Sequence, residues 1–222
     1  MSISNFIIIA VLVLLWGCSG NQKVQQLESK NGFAVIVAPA ANEKEATFAG
    51  GCFWAVQEAM IELKGVHKVI SGYAGGTIKN PTYQDLQSQS SGHAEAVQVY
   101  YDPSVISFET LCKAFFYVHD PTQVDRQGAD LGPEYRSIAF FRSPAEYRII
   151  SGMIHRLEQT DFKSRTIATE ILPFEVIYPA ETEHQDYYQR NQGNSYIRNV
   201  SRPKVMKLRS EMPEMIKSEY LK

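Results

Sequence analysis

Cysteine is scarce in this chain, since only three of its 222 residues are cysteine. Disulfide-based scaffolds are far richer in cysteine and use even numbers, so a disulfide framework is excluded. An excess of basic charge is also missing, because 22 Lys and Arg face 24 Asp and Glu. A nucleic-acid binder needs such an excess to displace the counterions of phosphate, so no nucleic acid is expected as a partner.

Metal-ligand spacing and long apolar segments are lacking as well. The five histidines and three cysteines are scattered, so no metal site is predicted. The N-terminal apolar run at residues 6–16 has eleven residues, whereas a membrane span needs about 20. The remaining composition, 44% hydrophobic and 21% charged, is that of a globular protein with one domain of roughly 150–200 residues.

Cys18 directly follows this short apolar run. Residues 15–18 (LWGC) resemble the bacterial lipoprotein cleavage box, in which the cysteine is lipidated and becomes the first residue. Residues 1–17 are therefore predicted to be a lipoprotein-type signal peptide, Cys18 the lipidation site and residues 18–43 a polar tether. The expected location is the bacterial cell envelope, with the chain lipid-anchored and facing the periplasm or the exterior. Plain secretion and a buried strand ending in cysteine are the alternatives.

Strands and helices alternate from residue 44 onward. The patterns predict an α/β (α+β) fold, a two-layer sandwich with a mixed central sheet flanked by helices. This catalytic domain is expected to span residues 44–200, followed by a charged helical tail at 201–222 that lies on the surface. Strands are predicted at 46–49, 66–73, 94–101, 137–142, 167–171 and 174–179, and helices at 53–63, 107–119, 144–159 and 183–191.

Cys52 lies where Gly50 and Gly51 lead from a strand into a helix. The N–H groups and the dipole at a helix start stabilise a thiolate, so we predict a lowered thiol pKa. The two glycines leave room for a substrate to approach the sulfur. This placement favours a reactive cysteine over a small buried apolar residue.

Residues 50–54 (GGCFW) resemble the active-site motif of the A class of peptide methionine sulfoxide reductases. Further segments resemble this family in order and spacing: 72–76 (GYAGG), 80–83 (NPTY), 92–97 (GHAEAV), 101–103 (YDP), 119–123 (HDPTQ), 126–130 (RQGAD) and 134–137 (EYRS). The resemblance covers residues 47–200. It implies that the protein reduces methionine-(S)-sulfoxide, free and in proteins, to methionine and so repairs oxidative damage.

The resemblance also implies roles for four catalytic residues. Cys52 would attack the sulfoxide sulfur and end as a sulfenic acid. Glu95, in an apolar strand context that raises its pKa, would donate the proton to the departing oxygen. Tyr83 and Tyr135 would hold that oxygen with their hydroxyl groups.

Three more residues would bind the substrate. Phe53 and Trp54 are expected to form an apolar wall for the S-methyl group. Asp130 would line the pocket and order the loop that carries Tyr135. As ordinary core or turn residues, all three would look the same in the sequence.

A recycling cysteine is missing from the C-terminal region. Many members of the family carry one just after a tyrosine, but here Ile197 follows Tyr196, and no cysteine occurs after Cys112. Cys112 lies in a helix on its apolar face, where an inert thiol is favoured.

We also predict a monomer that needs no bound cofactor. Its partners would be free methionine sulfoxide, oxidised proteins, the membrane through the anchor at Cys18, and an external thiol reductant, thioredoxin or similar.

Two other functions remain open at this point. A cysteine hydrolase would pair Cys52 with an imidazole base from His93, His119 or His184. A non-catalytic lipoprotein would have kept the fold only as a binding module. Loss of activity on replacing a histidine, but not Glu95, would favour the hydrolase.

Overall fold

The computed structural model describes residues 27–28, 35–163 and 165–221. Its strands are β1 (Leu27–Glu28), β2 (Val35–Ile36), β3 (Lys44–Gly50), β4 (Val66–Ala74), β5 (Ala94–Tyr101), β6 (Arg126–Gln127), β7 (Asp130–Leu131), β8 (Ser137–Phe141), β9 (Glu170–Pro173) and β10 (Ile177–Pro179). Its α-helices are α1 (Phe53–Ile61), α2 (Tyr83–Gln87), α3 (Phe108–Val118), α4 (Pro144–Gln159), α5 (Tyr187–Arg190) and α6 (Arg202–Glu211). A π-helical turn (Ile197–Ser201) precedes α6.

Six strands form one mixed sheet in the order β10-β4-β5-β3-β8-β9. All neighbours are antiparallel except β8 and β9, which are parallel. The α/β sandwich with a mixed sheet is therefore confirmed. The register places Tyr73 of β4 opposite Glu95 of β5, one residue from the end of β4 and from the start of β5, on two interior strands of the sheet.

The two faces of the sheet bury different apolar clusters. The larger cluster joins the sheet to α1, α3, α4 and α6, and Phe48 of β3 stacks there on Phe115 of α3 at 4.9 Å between ring centroids. The smaller cluster on the opposite face includes Ile70, Tyr100 and Ile138. Because β5 lies between them, its residues are all buried, which explains the nearly continuous apolar pattern of this strand.

Local sequence signals set several helix ends. Ser107 accepts a hydrogen bond from the Thr110 N–H and caps α3 as the sequence predicts. Ser143 caps α4 in the same way, with Pro144 at the first helical position. The predicted helix at 183–191 is interrupted instead, because Asp186 adopts a positive φ of 51° that a helix does not tolerate. It consists of a 3-10 turn (Thr182–His184) and α5.

The C-terminal segment is not the surface helix that its charge predicts. Val205 and Leu208 on one face of α6 are fully buried, and so are Met212 and Ile216 beyond it. Arg209 joins α6 to α1 by two hydrogen bonds to the carboxylate of Glu62, at 2.7 and 2.6 Å. The charged residues cover only the outer face, so composition alone gave the wrong environment.

The end of the predicted tether also packs on the folded body. Ile36 is 8% exposed, and the Tyr100 hydroxyl donates to the Val37 carbonyl at 2.8 Å. Cys18 and the predicted signal peptide lie outside the described residues and stay predictions. Within the described ranges, no helix is both long and apolar enough to cross a membrane.

Candidate active site

Cys52 stands between β3 and α1, in the position of the helix N-cap. The preceding Gly51 has a φ of +82°, and a Cβ atom built there would lie 2.5 Å from the Cγ atom of Gln127. Only glycine fits this conformation and this close approach. The turn therefore brings the backbone against a neighbouring loop and leaves Cys52 5% exposed at the start of α1.

Glu95 on β5 places a carboxyl group beside the cysteine turn. Its Oε2 accepts the Phe53 N–H at 2.9 Å, and its carboxyl lines the cavity together with Cys52. Burial raises the pKa of Glu95 to about 8, and the charge of Asp130 adds to this shift, while the Phe53 N–H and the neighbouring Cys52 oppose it. Glu95 is thus a carboxylic acid at neutral pH and can donate a proton.

The Cys52 thiol does not have the lowered pKa that its helix position predicts. Burial, followed by the charges of Glu95 and Asp130, raises the pKa of Cys52 well above its usual value. The neighbouring Tyr196 and the Trp54 N–H lower this pKa, but they do not outweigh the effect of burial. The prediction from the helix start is wrong because burial, which the sequence does not display, outweighs the dipole. The site holds a neutral thiol beside a neutral carboxyl.

A cavity of about 310 Å³ opens in front of these two groups. Its lining consists of Cys52, Trp54, Tyr83, Glu95, Asp130, Tyr135, Tyr187, Asn194 and Tyr196. The volume is at the lower end of the range for small-ligand pockets. Six of the seven predicted catalytic and substrate-binding residues therefore meet at one surface.

Tyr83 and Tyr135 face the same cavity from α2 and from the 3-10 turn Pro133–Tyr135. The Tyr83 N–H donates to Glu181 at 3.0 Å, and Thr82 caps α2, so the start of this helix is held on both sides. Burial raises the pKa of Tyr83 to about 12 and also raises that of Tyr135. Both phenols stay protonated and can act as hydrogen-bond donors.

An aromatic wall closes one side of the cavity. The Trp54 ring stacks on Tyr187 at 3.9 Å between centroids and meets Tyr196 edge-on at 5.7 Å. Phe53, the seventh predicted residue, is not part of the lining. Its ring is 1% exposed and packs against Tyr73 at 6.0 Å, so its backbone N–H, not its ring, reaches the reactive groups.

Three lining residues, Tyr187, Asn194 and Tyr196, were not predicted. They lie on a stretch whose only noted feature was the missing cysteine at 197. The Tyr196 hydroxyl donates to Oδ2 of Asp130 at 2.7 Å, and Tyr196 lines the cavity together with Cys52. The position of Tyr196 next to the expected recycling cysteine was the one signal that could have identified it.

The histidines do not supply a base for Cys52. His93 accepts the Gly76 N–H at 3.0 Å and contacts the Ile78 carbonyl with its other nitrogen. Both ring nitrogens of His119 are also engaged, and burial lowers its pKa to about 4. None of the three candidate histidines lines the cavity, so a cysteine hydrolase is not supported.

Cys112 and Ile197 both lie in the larger apolar cluster and are fully buried. Burial raises the pKa of Cys112 far above its usual value. Within the described ranges, Cys52 and Cys112 are free thiols, and no group of three His, Cys, Asp or Glu residues could hold a metal ion. A thiol, an acid and two phenols around one cavity are the parts of a thiol-dependent oxidoreductase.

Comparisons with known proteins identify the family. A family model described as peptide methionine sulfoxide reductase matches residues 44–216. A peptide methionine sulfoxide reductase MsrA from Deinococcus radiodurans is 43% identical over 193 residues, covering 87% of this chain and 92% of the relative. The MsrA of Thermus thermophilus is 42% identical over 175 residues, covering 79% and 98%.

Solved structures agree with these relatives. The reduced form of Mxr1 from Saccharomyces cerevisiae gives a TM-score of 0.67 at 31% identity, over 76% of this chain and 94% of that one. Methionine sulfoxide reductase A of Corynebacterium diphtheriae gives a TM-score of 0.63 at 31% identity, over 75% and 82%. The chain belongs to the peptide methionine sulfoxide reductase family. It is a thiol-dependent oxidoreductase that reduces methionine-(S)-sulfoxide to methionine and so repairs oxidised methionine.

Proposed function

We propose that Cys52 reduces the sulfoxide directly and that Glu95 supplies and recovers the proton. The observation that carries this proposal is that the buried Cys52 thiol and the buried Glu95 carboxyl line the same cavity, with Glu95 fixed beside the cysteine turn by the Phe53 N–H at 2.9 Å. A neutral acid beside a neutral thiol costs little to bury, and a neutral sulfoxide can enter without meeting a fixed negative charge on either group.

The proton of Glu95 passes to the sulfoxide oxygen as the Cys52 sulfur attacks. The attack forms a bond between the Cys52 sulfur and the methionine sulfur. The protonated oxygen then passes from the methionine sulfur to the Cys52 sulfur, so that one S–O bond breaks and another forms, and the bond between the two sulfurs breaks to release methionine. The thiol proton passes to Glu95, which lines the same cavity and is restored as an acid. One thiol and one sulfoxide thus give one sulfenic acid and one thioether, so atoms and electrons balance.

Tyr83 and Tyr135 stabilise the oxygen during this transfer. Both hydroxyl groups face the cavity and keep their protons, so they can donate to an oxygen that gains negative charge before protonation. Trp54 and Tyr187 offer an apolar surface to the S-methyl group. Protein-bound methionine sulfoxide would insert only its side chain into this space.

The sulfenic acid is reduced by an external thiol, for which we propose a thioredoxin-like dithiol. Ile197 cannot resolve it, and Cys112 lies inside the apolar cluster without a place in the cavity lining. Two thiols of the reductant restore Cys52 and release water and a disulfide. No step requires a bound cofactor.

We also propose that a lipid on Cys18 anchors the enzyme in the bacterial envelope, facing the periplasm or the exterior. The support is the sequence pattern alone, an apolar run ending in residues 15–18. Metabolic labelling with a radioactive fatty acid tests it. The wild-type chain is expected to carry label and to sediment with membranes, and Cys18→Ala to carry none. Equal labelling of both would contradict the anchor.

An assay of the purified enzyme with each sulfoxide epimer tests the catalytic proposal. The expected result is turnover of the S epimer only, sustained by a thioredoxin system and stopped at one equivalent of methionine without reductant. Several equivalents formed without any reductant would contradict a thiol that is consumed once per cycle.

A further inference from the structure

Lys204 carries a buried charge that the proposed chemistry does not use. Its side chain, on the first turn of α6, is 15% exposed, and within the described residues its Nζ atom is buried without a hydrogen-bond partner. Its charge contact is with Oδ2 of Asp130, at 4.0 Å, on a side chain that is 10% exposed. A buried ammonium without hydrogen bonds is costly unless a nearby carboxylate offsets its charge, and Asp130 is the carboxylate in that position.

The ammonium group lies directly behind the nucleophile. It is 3.6 Å from the position that a Cβ atom on Gly51 would occupy, so it lies next to the backbone that leads into Cys52. Asp130, its partner, accepts a hydrogen bond from the Tyr196 hydroxyl at 2.7 Å, and Asp130, Tyr196 and Cys52 line the same cavity. Lys204 and Tyr196 are eight residues apart and hold the same carboxylate from two sides.

Other charged groups nearby are engaged elsewhere. Arg165 pairs with Asp120 at 2.9 Å, and Lys207, one turn further along α6, is exposed. His119 has both ring nitrogens hydrogen-bonded and a low pKa, so it is neutral. Among the described ion pairs, Asp130 has Lys204 as its cationic partner.

A negative charge on Asp130 opposes the reaction unless it is offset. When Cys52 gives up its proton and attacks, electron density gathers on its sulfur close to the Asp130 carboxylate. Two like charges in a buried site repel strongly, because little water screens them. A fixed cation behind the carboxylate reduces this repulsion while leaving the carboxylate as an acceptor for Tyr196.

We propose that Lys204 is a positioning residue for the sulfoxide reduction step, acting through Asp130 and Tyr196 on the Cys52 sulfur. This inference rests on the proposed role of Cys52 but adds a residue from α6, outside the motifs that mark the active site. The effect should fall on the rate of the chemical step. Binding of the sulfoxide should change little, because Lys204 does not line the cavity.

The test is a single-turnover experiment with the full chain, without reductant, in which methionine release is followed at increasing concentrations of free methionine sulfoxide. Lys204→Met is expected to lower the saturating rate about tenfold, as for coupled charges in contact, with half-saturation within about twofold of wild type. Lys204→Arg, which keeps the charge, should recover most of the rate. Lys207→Met, a loss of charge one turn away on the same helix, should keep the wild-type rate.

A double-mutant cycle with Asp130→Asn isolates the pair. With the carboxylate removed, Lys204→Met should cost less than about threefold, because the repulsion that Lys204 offsets is gone. An equal loss in both backgrounds would overturn the proposal, and so would a wild-type rate in Lys204→Met. If Lys204→Met fails to fold, as judged by thermal unfolding, the cycle is run with Lys204→Gln under the same criteria. Retained activity in Cys52→Ser would instead remove the proposed function itself.

Discussion

Cys52 and Cys112 are both buried free thiols whose pKa is raised by burial, yet their surroundings differ in kind. Cys112 lies inside α3 among apolar side chains of the larger cluster. Cys52 ends a glycine turn and lines a cavity of about 310 Å³ together with the acid Glu95 and the phenol Tyr196. A shifted pKa therefore does not distinguish a reactive thiol from an inert one here. The two thiols are distinguished by access to a cavity and by a neighbouring group that can exchange a proton.

The buried carboxyl groups of Glu58 and Glu95 differ in the same way as the two thiols. Burial raises the pKa of both Glu58 and Glu95 to about 8. Glu58 faces Glu62 and accepts a hydrogen bond from Gln189, and it has no place in the cavity lining. Glu95 has the same protonation state but contacts Cys52 and the cavity. Cys112 and Glu58 can therefore serve as matched controls for Cys52 and Glu95 in mutagenesis.

The largest effect on the reaction rate is expected when each of the two cysteines is replaced separately by serine. Cys52→Ser removes the nucleophile and should lower methionine release in a single turnover by at least about four orders of magnitude. Cys112→Ser should keep at least about half of the wild-type rate. Comparable losses in the two variants would break the distinction between them.

The two carboxyl groups give the next effect. Glu95→Gln cannot donate a proton and should reduce the single-turnover rate by about 10²–10⁴-fold with little change in half-saturation. Glu58→Gln, the matched control, should remain within about twofold of wild type. A large loss in Glu58→Gln with an active Glu95→Gln would reverse the assignment of the acid.

A pH profile sharpens the same comparison. Glu95 is active in its protonated form, and its pKa is about 8, so the wild-type rate should be constant below pH 8 and fall as pH rises further. Glu58→Gln should show the same fall in rate above pH 8, and the residual activity of Glu95→Gln should not. If Glu95→Gln showed the same fall in rate above pH 8, the titrating group would be another residue.

The two phenols should contribute a smaller share. Tyr83→Phe and Tyr135→Phe each remove one donor to the sulfoxide oxygen and should each cost about tenfold or more in rate, with the double variant losing about 10²–10³-fold. Single-turnover rates at saturating sulfoxide measure this. Tyr100→Phe, which removes a buried hydroxyl on the other face of the sheet, serves as the control.

The smallest expected effect concerns the free energy of unfolding. Here replacing Cys112 should cost more than replacing Cys52, the opposite of their order in activity. Cys112→Ser buries a hydroxyl among apolar groups and should lower the free energy of unfolding by about 1–3 kcal/mol. Cys52→Ser should cost less than about 1 kcal/mol, because its hydroxyl can use the partners of the thiol, Glu95 and Tyr196. Urea unfolding curves would show this difference, and an equal cost would contradict the polar description of the Cys52 site.

Much of this site was predictable because its residues lie in short motifs. Cys52 follows two glycines at a helix start, which already favoured a reactive thiol. The apolar neighbours of Glu95 left its role ambiguous, and the resemblance of its segment to the family motif identified it. The acid role of Glu95 agrees with its raised pKa, but the lowered pKa expected for Cys52 was wrong. Burial depends on segments distant in the chain, and no local pattern reveals it.

The parts that the sequence pattern did not predict come from the C-terminal region. Tyr187 and Tyr196 reach the cavity because the chain returns to α1 after β10, a path set by packing rather than by local signals. The apolar residues of α6 are outnumbered by charged ones, which hid its buried face. The positive φ of Asp186 likewise divides a segment that the pattern predicts as a single helix.

The central claim, that one thiol performs the reduction alone, is tested most directly by mass spectrometry of the wild-type enzyme after a single turnover without reductant. The account predicts a protein heavier by one oxygen atom, located on the peptide that contains Cys52, with Cys112 still a free thiol. A protein lighter by two hydrogen atoms, with a disulfide between Cys52 and Cys112, would contradict it.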